Sequence, residues 1–314
     1  MVRGLLVVNP RATTTSPRVI DVIVHALSDE VNLDVTVTTH KGHGILLGEA
    51  ARQQGLDVVV TLGGDGVVNE VVNGILSSDG GGPVPLLATV PGGSGNVFAR
   101  ALGLPTDAVE ATGLILERLR TGGSRVIGLG TANDRWFVAN AGLGLDAEII
   151  AAMEGQRKAG HAATPARYLR TALDQYLRRT DRKEPALTLT RGRPGEHPAE
   201  RLTGVFAAVV QNTSPWTFFG TWPINPCPEA SFDAGLDLFA IRRMHLPTGL
   251  IVTRRLLTSR AGGSARGGIV SWHDQSEFTL TAQRPIDFQM DGEGMGAVTE
   301  VVFRSHPRAL RVVC

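Results

Sequence analysis

The 314-residue sequence predicts an α/β domain followed by a mainly antiparallel β domain, and three observations carry that expectation. Up to about residue 124, short apolar runs alternate with segments whose apolar residues recur at helical spacing, the signature of a parallel sheet covered by helices. Two glycine turns, Gly63-Gly64-Asp65-Gly66 and Pro91-Gly92-Gly93-Ser94-Gly95-Asn96, each follow an apolar run and each lead into a helix-like pattern. After Thr121-Gly122-Gly123 the character changes to β-branched runs joined by Gly, Pro and Asn turns.

In chain order, Gly4–Val8 reads as a strand that reaches Asn9-Pro10 at once, too short for a signal-peptide core. Helix Pro17–Leu27, strand Leu33–Thr38, helix Ile45–Gln54 and strand Asp57–Leu62 follow. Val67–Leu76 is a helix behind the first glycine turn, Leu86–Val90 a strand, and Asn96–Leu102 and Ala108–Arg120 are helices. Strands are then expected at Arg125–Thr131, Trp136–Asn140, Ala186–Thr190, Val205–Gln211, Leu236–Arg242, Glu277–Ala282, Ile286–Met290 and Glu300–Arg304. Helices interrupt them at Pro165–Arg179, with Thr164 as cap and proline at the first position, and at Pro247–Ser259. Arg191–Glu200 reads as an exposed hairpin loop. The division expected is residues 1–124 and 125–304, with 305–314 a candidate return to the first domain.

Composition narrows the function. A formal net charge of +1 leaves no footprint for general nucleic-acid binding. Cys227 and Cys314 have no CxxC spacing, so neither a zinc site nor a disulfide framework is indicated, which suits a reducing cytoplasm. No apolar run approaches the ~18 residues of a membrane span.

The glycine turns carry the chemistry. A strand, a glycine turn and a helix N-terminus present backbone N–H groups and a positive dipole end to phosphate. Asp65 inside the first turn reads as an anchor for a magnesium–polyphosphate group; the plain alternative is a cap on the Val67–Leu76 helix. Asn69 and Asn73 share one helical face, as site residues or as ties to the sheet. His40 and His43 sit among glycines without a third ligand and read as loop residues. Locally, Glu293 after Asp291-Gly292 is a turn carboxylate. Trp216-Thr217-Phe218-Phe219-Gly220-Thr221-Trp222 concentrates four aromatics in seven residues of a chain that is 5% aromatic. Those rings either plug one end of the β domain or dip into a membrane interface.

Asn9-Pro10, the Gly63–Gly74 element, Pro91 to Arg100 and Asp291-Gly292-Glu293 together resemble the bacterial diacylglycerol kinase and sphingosine kinase catalytic family. The resemblance implies a Rossmann-like nucleotide-binding N-terminal domain, a β-sandwich lipid-substrate domain, and an ATP-dependent lipid kinase with Mg2+, diacylglycerol being the first-choice alcohol. It implies nucleotide contacts at Asn9, Pro10, Arg11, Ala12, Thr13, Thr38, Gly64, Asp65, Gly66, Val67, Val68, Asn69, Glu70, Gly93 and Ser94. Glu293 matches the general base, and Asp233, Ser231, Ala234 and Leu236 are metal-loop candidates. A lipid alcohol substrate, transient contact with the inner face of the membrane from the cytoplasm, and a candidate homodimer complete the picture. This chain departs from bacterial relatives in reading Val97, Gly128 and Ala234 where they carry aspartate, so their magnesium–aspartate network does not transfer whole. Two alternatives remain: an NAD kinase-like enzyme, which shares the first glycine turn, and a catalytically silent lipid- or nucleotide-binding regulator. The second glycine turn in its Phe98-Ala99-Arg100 form argues against the former, and retention of Asp65 and Glu293 against the latter.

Overall fold

Leu5, Leu6, Val7 and Val8 are buried and end β1 (Val2–Val8), the strand around which the first part of the chain assembles. In the computed structural model, which describes residues 2–77, 81–158, 170–171, 174, 185–191, 200–219, 222–242 and 268–314, two compact units are present. One comprises Met1–Leu129 with Pro307–Cys314, the other Gly130–His306.

In the first unit β1 pairs in parallel with β2 (Val31–Val37) on one side and β3 (Val58–Gly63) on the other. β3 pairs in parallel with β4 (Leu86–Pro91). The run Val58-Val59-Val60 has no polar alternation because the strand is buried on both faces. The intervening helices are α1 (Pro17–Ser28), α2 (His43–Gln53), α3 (Asp65–Ile75), the short α4 (Val97–Ala101) and α5 (Ala108–Thr121). Ile23 and Leu27 of α1 and Ile115 of α5 pack against Leu6, Val8, Val60, Leu62 and Val90 of the sheet. The helix ends follow their capping residues: the Ser16 hydroxyl accepts from Val19 N–H, and Asp107 accepts from Val109 and Glu110 N–H. The strand order β2-β1-β3-β4 means that the chain leaves β1 toward one side and then returns toward the other. The reversal lies at the carboxyl ends of β1 and β3, where parallel sheets bind ligands.

The second unit is mostly antiparallel. Past β5 (Arg125–Ala132), β6 (Arg135–Phe137) turns back on it. β7 (Asn140–Gly144), α6 (Leu145–Lys158), β8 (Leu187–Arg191), β9 (Glu200–Val205) and β10 (Ala207–Gln211) follow. A small separate hairpin, β11 (Thr217–Phe219) with β12 (Trp222–Ile224), precedes β13 (Leu236–Ile241), β14 (Ile269–Gln275), β15 (Glu277–Met290) and β16 (Glu293–Val312). The register of β15 shifts between Thr281 and Ile286; its first part pairs with β8 and its last part with β7. Side chains from both parts meet in one core of Phe137, Trp272, Phe278, Phe288 and Phe303 with Leu and Val from β8, β10, β13 and β14. The last residues of β16 lie in the first unit, where Val312 pairs in parallel with Leu87.

Several elements differ from the sequence expectation. The strand expected over Trp136–Asn140 is interrupted, because the N–H groups of Val138, Ala139 and Asn140 turn to the Asp291 carboxylate rather than to a neighbouring strand. α6, β9, β14 and the β11–β12 hairpin were not anticipated. Arg191 pairs with Glu200 across β8 and β9, and residues 192–199, within the expected exposed hairpin loop, lie outside the described residues. The helix expected at 165–179 lies outside the described residues apart from 170, 171 and 174, as do the whole of the expected 247–259 helix and residues 220–221 of the aromatic segment.

Candidate active site

Four strand ends in the first unit are bonded into one surface. Asn9 N–H donates to Leu62 C=O at 2.9 Å, Thr38 N–H to Val8 C=O at 2.8 Å, Gly92 N–H to Gly63 C=O at 2.8 Å, and Thr14 N–H to Gly92 C=O at 3.0 Å. The two glycine turns therefore touch backbone to backbone. A Cβ on Gly93 would lie 2.6 Å from the Cα of Gly64, and one on Gly92 3.0 Å from the Cα of Gly63, so no side chain fits at this crossing.

That approach decides what Asp65 does. Its carboxylate accepts from Val97 N–H at 3.0 Å and Phe98 N–H at 2.9 Å. It is a helix cap, but of α4 behind the second glycine turn, not of the helix that begins at Asp65 itself. The plain reading of this residue named the wrong helix because the partner lies 32 residues away. Burial raises the Asp65 carboxyl above its ordinary range, and the N–H groups of Phe98, Val97 and Asp65 itself oppose that shift.

Asn9, Pro10, Arg11, Ala12 and Thr13 form the turn after β1. The Asn9 side-chain oxygen accepts from Arg11 N–H at 3.0 Å, and its carbonyl accepts from Ala12 N–H at 3.2 Å. Gly64 and Gly66 are half-buried, Gly93 likewise, and Ser94 is exposed. Val67, Val68, Asn69 and Glu70 are buried on α3. Glu70 is committed elsewhere in the unit: its two carboxylate oxygens accept from Gly42 N–H at 2.7 Å and Gly44 N–H at 2.9 Å, capping α2. Asn73 donates to the Asn69 carbonyl at 2.8 Å, so the pair binds along one helix face. His40 and His43 stack with ring centroids 5.0 Å apart, each within hydrogen-bond reach of the Thr39 hydroxyl. One residue escaped sequence reasoning. The Thr15 hydroxyl is buried without a hydrogen-bond partner among the described residues, and it lies 2.9 Å from where a Cβ of Gly92 would stand. The hydroxyl-rich run Thr13-Thr14-Thr15-Ser16 was the available signal.

In the second unit, Asp291 and Gly292 form the two-residue turn between β15 and β16, with φ of 48° and 78°. Positive φ at both positions is the requirement of this tight hairpin. The Asp291 carboxylate is gripped by three consecutive N–H groups, Val138 at 2.8 Å, Ala139 at 2.8 Å and Asn140 at 3.1 Å. A run of backbone donors of this kind is an anion nest, here filled from within the protein. Glu293 is the first residue of β16 and is half-buried. Asp291, which fixes this turn, entered the sequence reading as part of a turn dipeptide and of the family motif, with no structural role of its own.

The metal-loop candidates lie together before and at the start of β13. Ala234 N–H donates to Ser231 C=O at 3.1 Å, Asp233 N–H meets the Ser231 hydroxyl at 3.3 Å, and Leu236 pairs with Gln275. Asp233 is exposed. Among the described residues no three His, Cys, Asp or Glu side chains are grouped to hold a metal ion. Next to this loop the buried Asp237 bonds His273 Nδ1 at 2.8 Å. Burial raises the Asp237 carboxyl, while the bond to Asp237 raises the His273 imidazole. A raised folded-state value means that the pair stabilises the fold below the ordinary histidine pKa and that this contribution fades as pH rises through the raised value. The ring C–H resonance of His273 is therefore expected to titrate above pH 6.5 by NMR. In Asp237→Asn it should return toward that value; an unshifted wild-type titration would show the bond is not populated in solution.

Residues 3–132 match the diacylglycerol kinase catalytic domain. The "Probable lipid kinase YegS-like" protein of Chromohalobacter salexigens is 38% identical over 120 residues, covering 38% of this chain and 36% of that protein. The diacylglycerol kinase of Staphylococcus aureus is 38% identical over 97 residues, covering 31% of this chain and 29% of that one. The matched segments thus span about a third of these curated relatives. Two solved structures from Bacillus anthracis str. Sterne, one titled as a diacylglycerol kinase, superimpose over 99% of this chain and 96% of theirs, with TM-scores of 0.70 and 0.74 at 18% and 20% identity. They show the two-part fold, an α/β part with parallel strands and a mostly antiparallel part. No helix among the described residues is long and apolar enough to cross a membrane. The segment that matches the diacylglycerol kinase catalytic domain, residues 3–132, carries both glycine turns.

Proposed function

We propose that this protein is an ATP-dependent lipid kinase that transfers a γ-phosphoryl group to a lipid hydroxyl, diacylglycerol giving phosphatidic acid being the first choice. One observation carries the reading: two glycine turns meet at a parallel-sheet switch point, locked by Asp65, beside the buried Thr15 hydroxyl, which has no hydrogen-bond partner among the described residues. A polyphosphate fits a crossing where Gly92 and Gly93 leave no room for a Cβ and the Thr15 hydroxyl stands close by. The turn residues Asn9 to Thr13, Thr38, Gly64 to Gly66, Gly93 and Ser94 would surround the nucleotide. A bound magnesium ion would neutralise charge on the transferring phosphoryl, with the Asp65 carboxylate the candidate to meet it directly or through water.

Glu293 has the role of general base, accepting the proton of the attacking hydroxyl and holding it in line. Its placement immediately after a turn pinned by three N–H groups is what a positioned base requires. Activity would belong at the cytoplasmic face of the membrane, where the alcohol resides. The loop at Asp233 is a secondary cation candidate with one carboxylate and carbonyls from Ser231, Ala234 and Leu236. If it binds magnesium, the ion should raise the melting temperature of the wild type and not of Asp233→Ala; equal shifts in both would remove the loop from consideration.

The decisive experiment is incubation with labelled ATP, magnesium and a panel of lipid alcohols, followed by identification of the product. Label in phosphatidic acid supports the first choice, and label in a sphingoid phosphate moves the acceptor within the lipid class. Label appearing in NAD instead, with no lipid product, would replace the proposal by the NAD kinase alternative.

A further inference from the structure

The β11–β12 hairpin is unlike the rest of the second unit. Among the described residues its two three-residue strands pair only with each other, Thr217 with Ile224, Phe218 with Pro223 and Phe219 with Trp222. Trp222 is 66% exposed, the largest exposure of any large hydrophobic side chain among the described residues, and Pro223 beside it is also exposed. Residues 202–228 contain no Asp, Glu, Lys, Arg or His. The exposed tryptophan thus stands in a stretch of chain without a charged side chain.

The base of the hairpin is fixed firmly. Trp216 N–H donates to Ile224 C=O at 3.1 Å, the Asn225 side chain donates to the Ser214 hydroxyl at 2.6 Å, and the Asn140 side chain donates to Trp216 C=O at 3.0 Å. Asn140 is also the residue whose N–H holds Asp291, and its side-chain oxygen accepts from Gln289 at 3.2 Å. Gln289 in turn accepts from Gly292 N–H at 3.0 Å. One asparagine thus joins the aromatic hairpin to the turn that carries Glu293.

We propose that this hairpin is a membrane-interface docking element, entering the headgroup region of a bilayer with Trp222 leading. Tryptophan is favoured in that layer because its ring is apolar while its N–H stays wet. The lack of charge matters because each ionic group carried into the interface would oppose entry. A protein partner fits less well: specific protein interfaces engage about 20–30 residues a side, while this hairpin runs from Trp216 to Ile224. Docking here would bring the Glu293 turn to the surface where a lipid alcohol resides. That purpose rests on the lipid-kinase reading; the docking itself does not.

The test is co-sedimentation of the full chain with phosphatidylcholine–phosphatidylglycerol vesicles, without nucleotide. Trp222→Ala should weaken vesicle binding by about tenfold, the order expected when one buried aromatic side chain is lost, with the melting temperature unchanged. Trp222→Phe should retain most of the binding. Brominated phosphatidylcholine should quench tryptophan fluorescence of the wild type and quench Trp222→Phe much less. Vesicle binding equal in wild type and Trp222→Ala would overturn the proposal, as would no wild-type binding at all. Dissociation of a homo-oligomer by Trp222→Ala, with vesicle binding intact, would make the hairpin a contact between copies instead. Vesicle binding that depends on Trp222 in a protein that phosphorylates no lipid would support docking while refuting the kinase reading.

Discussion

Glu293→Gln is expected to lower turnover by about 10²–10⁴, the range of a lost general base, while ATP affinity by calorimetry stays nearly unchanged. The substitution preserves the shape of the side chain and removes only its ability to take a proton. The turn that presents it should survive, because its geometry comes from Asp291 and Gly292 and from the three N–H groups on the Asp291 carboxylate. Loss of ATP binding in this variant, with turnover following it down, would reassign Glu293 to the nucleotide or to the fold.

Asp65→Asn should lower turnover by roughly a hundredfold or more, as when an organiser of transition-state charge is removed. It should also lower stability by about 1–3 kcal/mol, the cost of stranding a buried donor. Asparagine places an NH2 where one carboxylate oxygen meets Val97 or Phe98 N–H, so two donors face each other at the start of α4. The two losses would have one origin, because the carboxylate that closes the second glycine turn is also the one proposed to organise the phosphates. Near-normal turnover at saturating magnesium, in a variant with a lowered melting temperature, would reduce Asp65 to a cap.

The parts of this protein that the sequence made legible are those governed by local periodicity. β1, β3 and β4 announced themselves as apolar runs, and the glycine turns by their composition, because both signals are complete within a few residues. The side-chain bonds that organise the site are of another kind. Asp65 reaches a helix 32 residues on, Asp291 reaches three N–H groups about 150 residues back, and Glu70 reaches α2 across 28 residues. Each of these carboxylates could equally have faced water as far as its neighbours in sequence reveal. β14 was missed for a similar reason: His273 and Asp274 break its apolar pattern, and its pairing with β13 makes it a strand. The aromatic segment looked irregular because of its prolines and glycine, yet Pro223 occupies a strand position in a two-stranded ribbon, where no further neighbour needs its missing N–H.

The final stretch of β16 carries a consequence for how this protein is made. Among the described residues, β4 gains its second parallel neighbour, beyond β3, from residues that are translated after the entire second unit: Val312 sits beside Leu87, and Val313 N–H donates to Leu87 C=O at 2.8 Å. Until then β4 presents an open edge, with buried Leu87 and Val90 among its residues. Emergence of the first 129 residues from the ribosome therefore does not release a finished domain. Its sheet must wait through the synthesis of some 177 further residues (130–306) before residues 307–314 can close it, a long-range pairing of the slow-forming kind. Nascent chains stalled before that point would carry an unprotected strand edge, and holdase chaperones that mask such edges during synthesis would be expected to favour its yield.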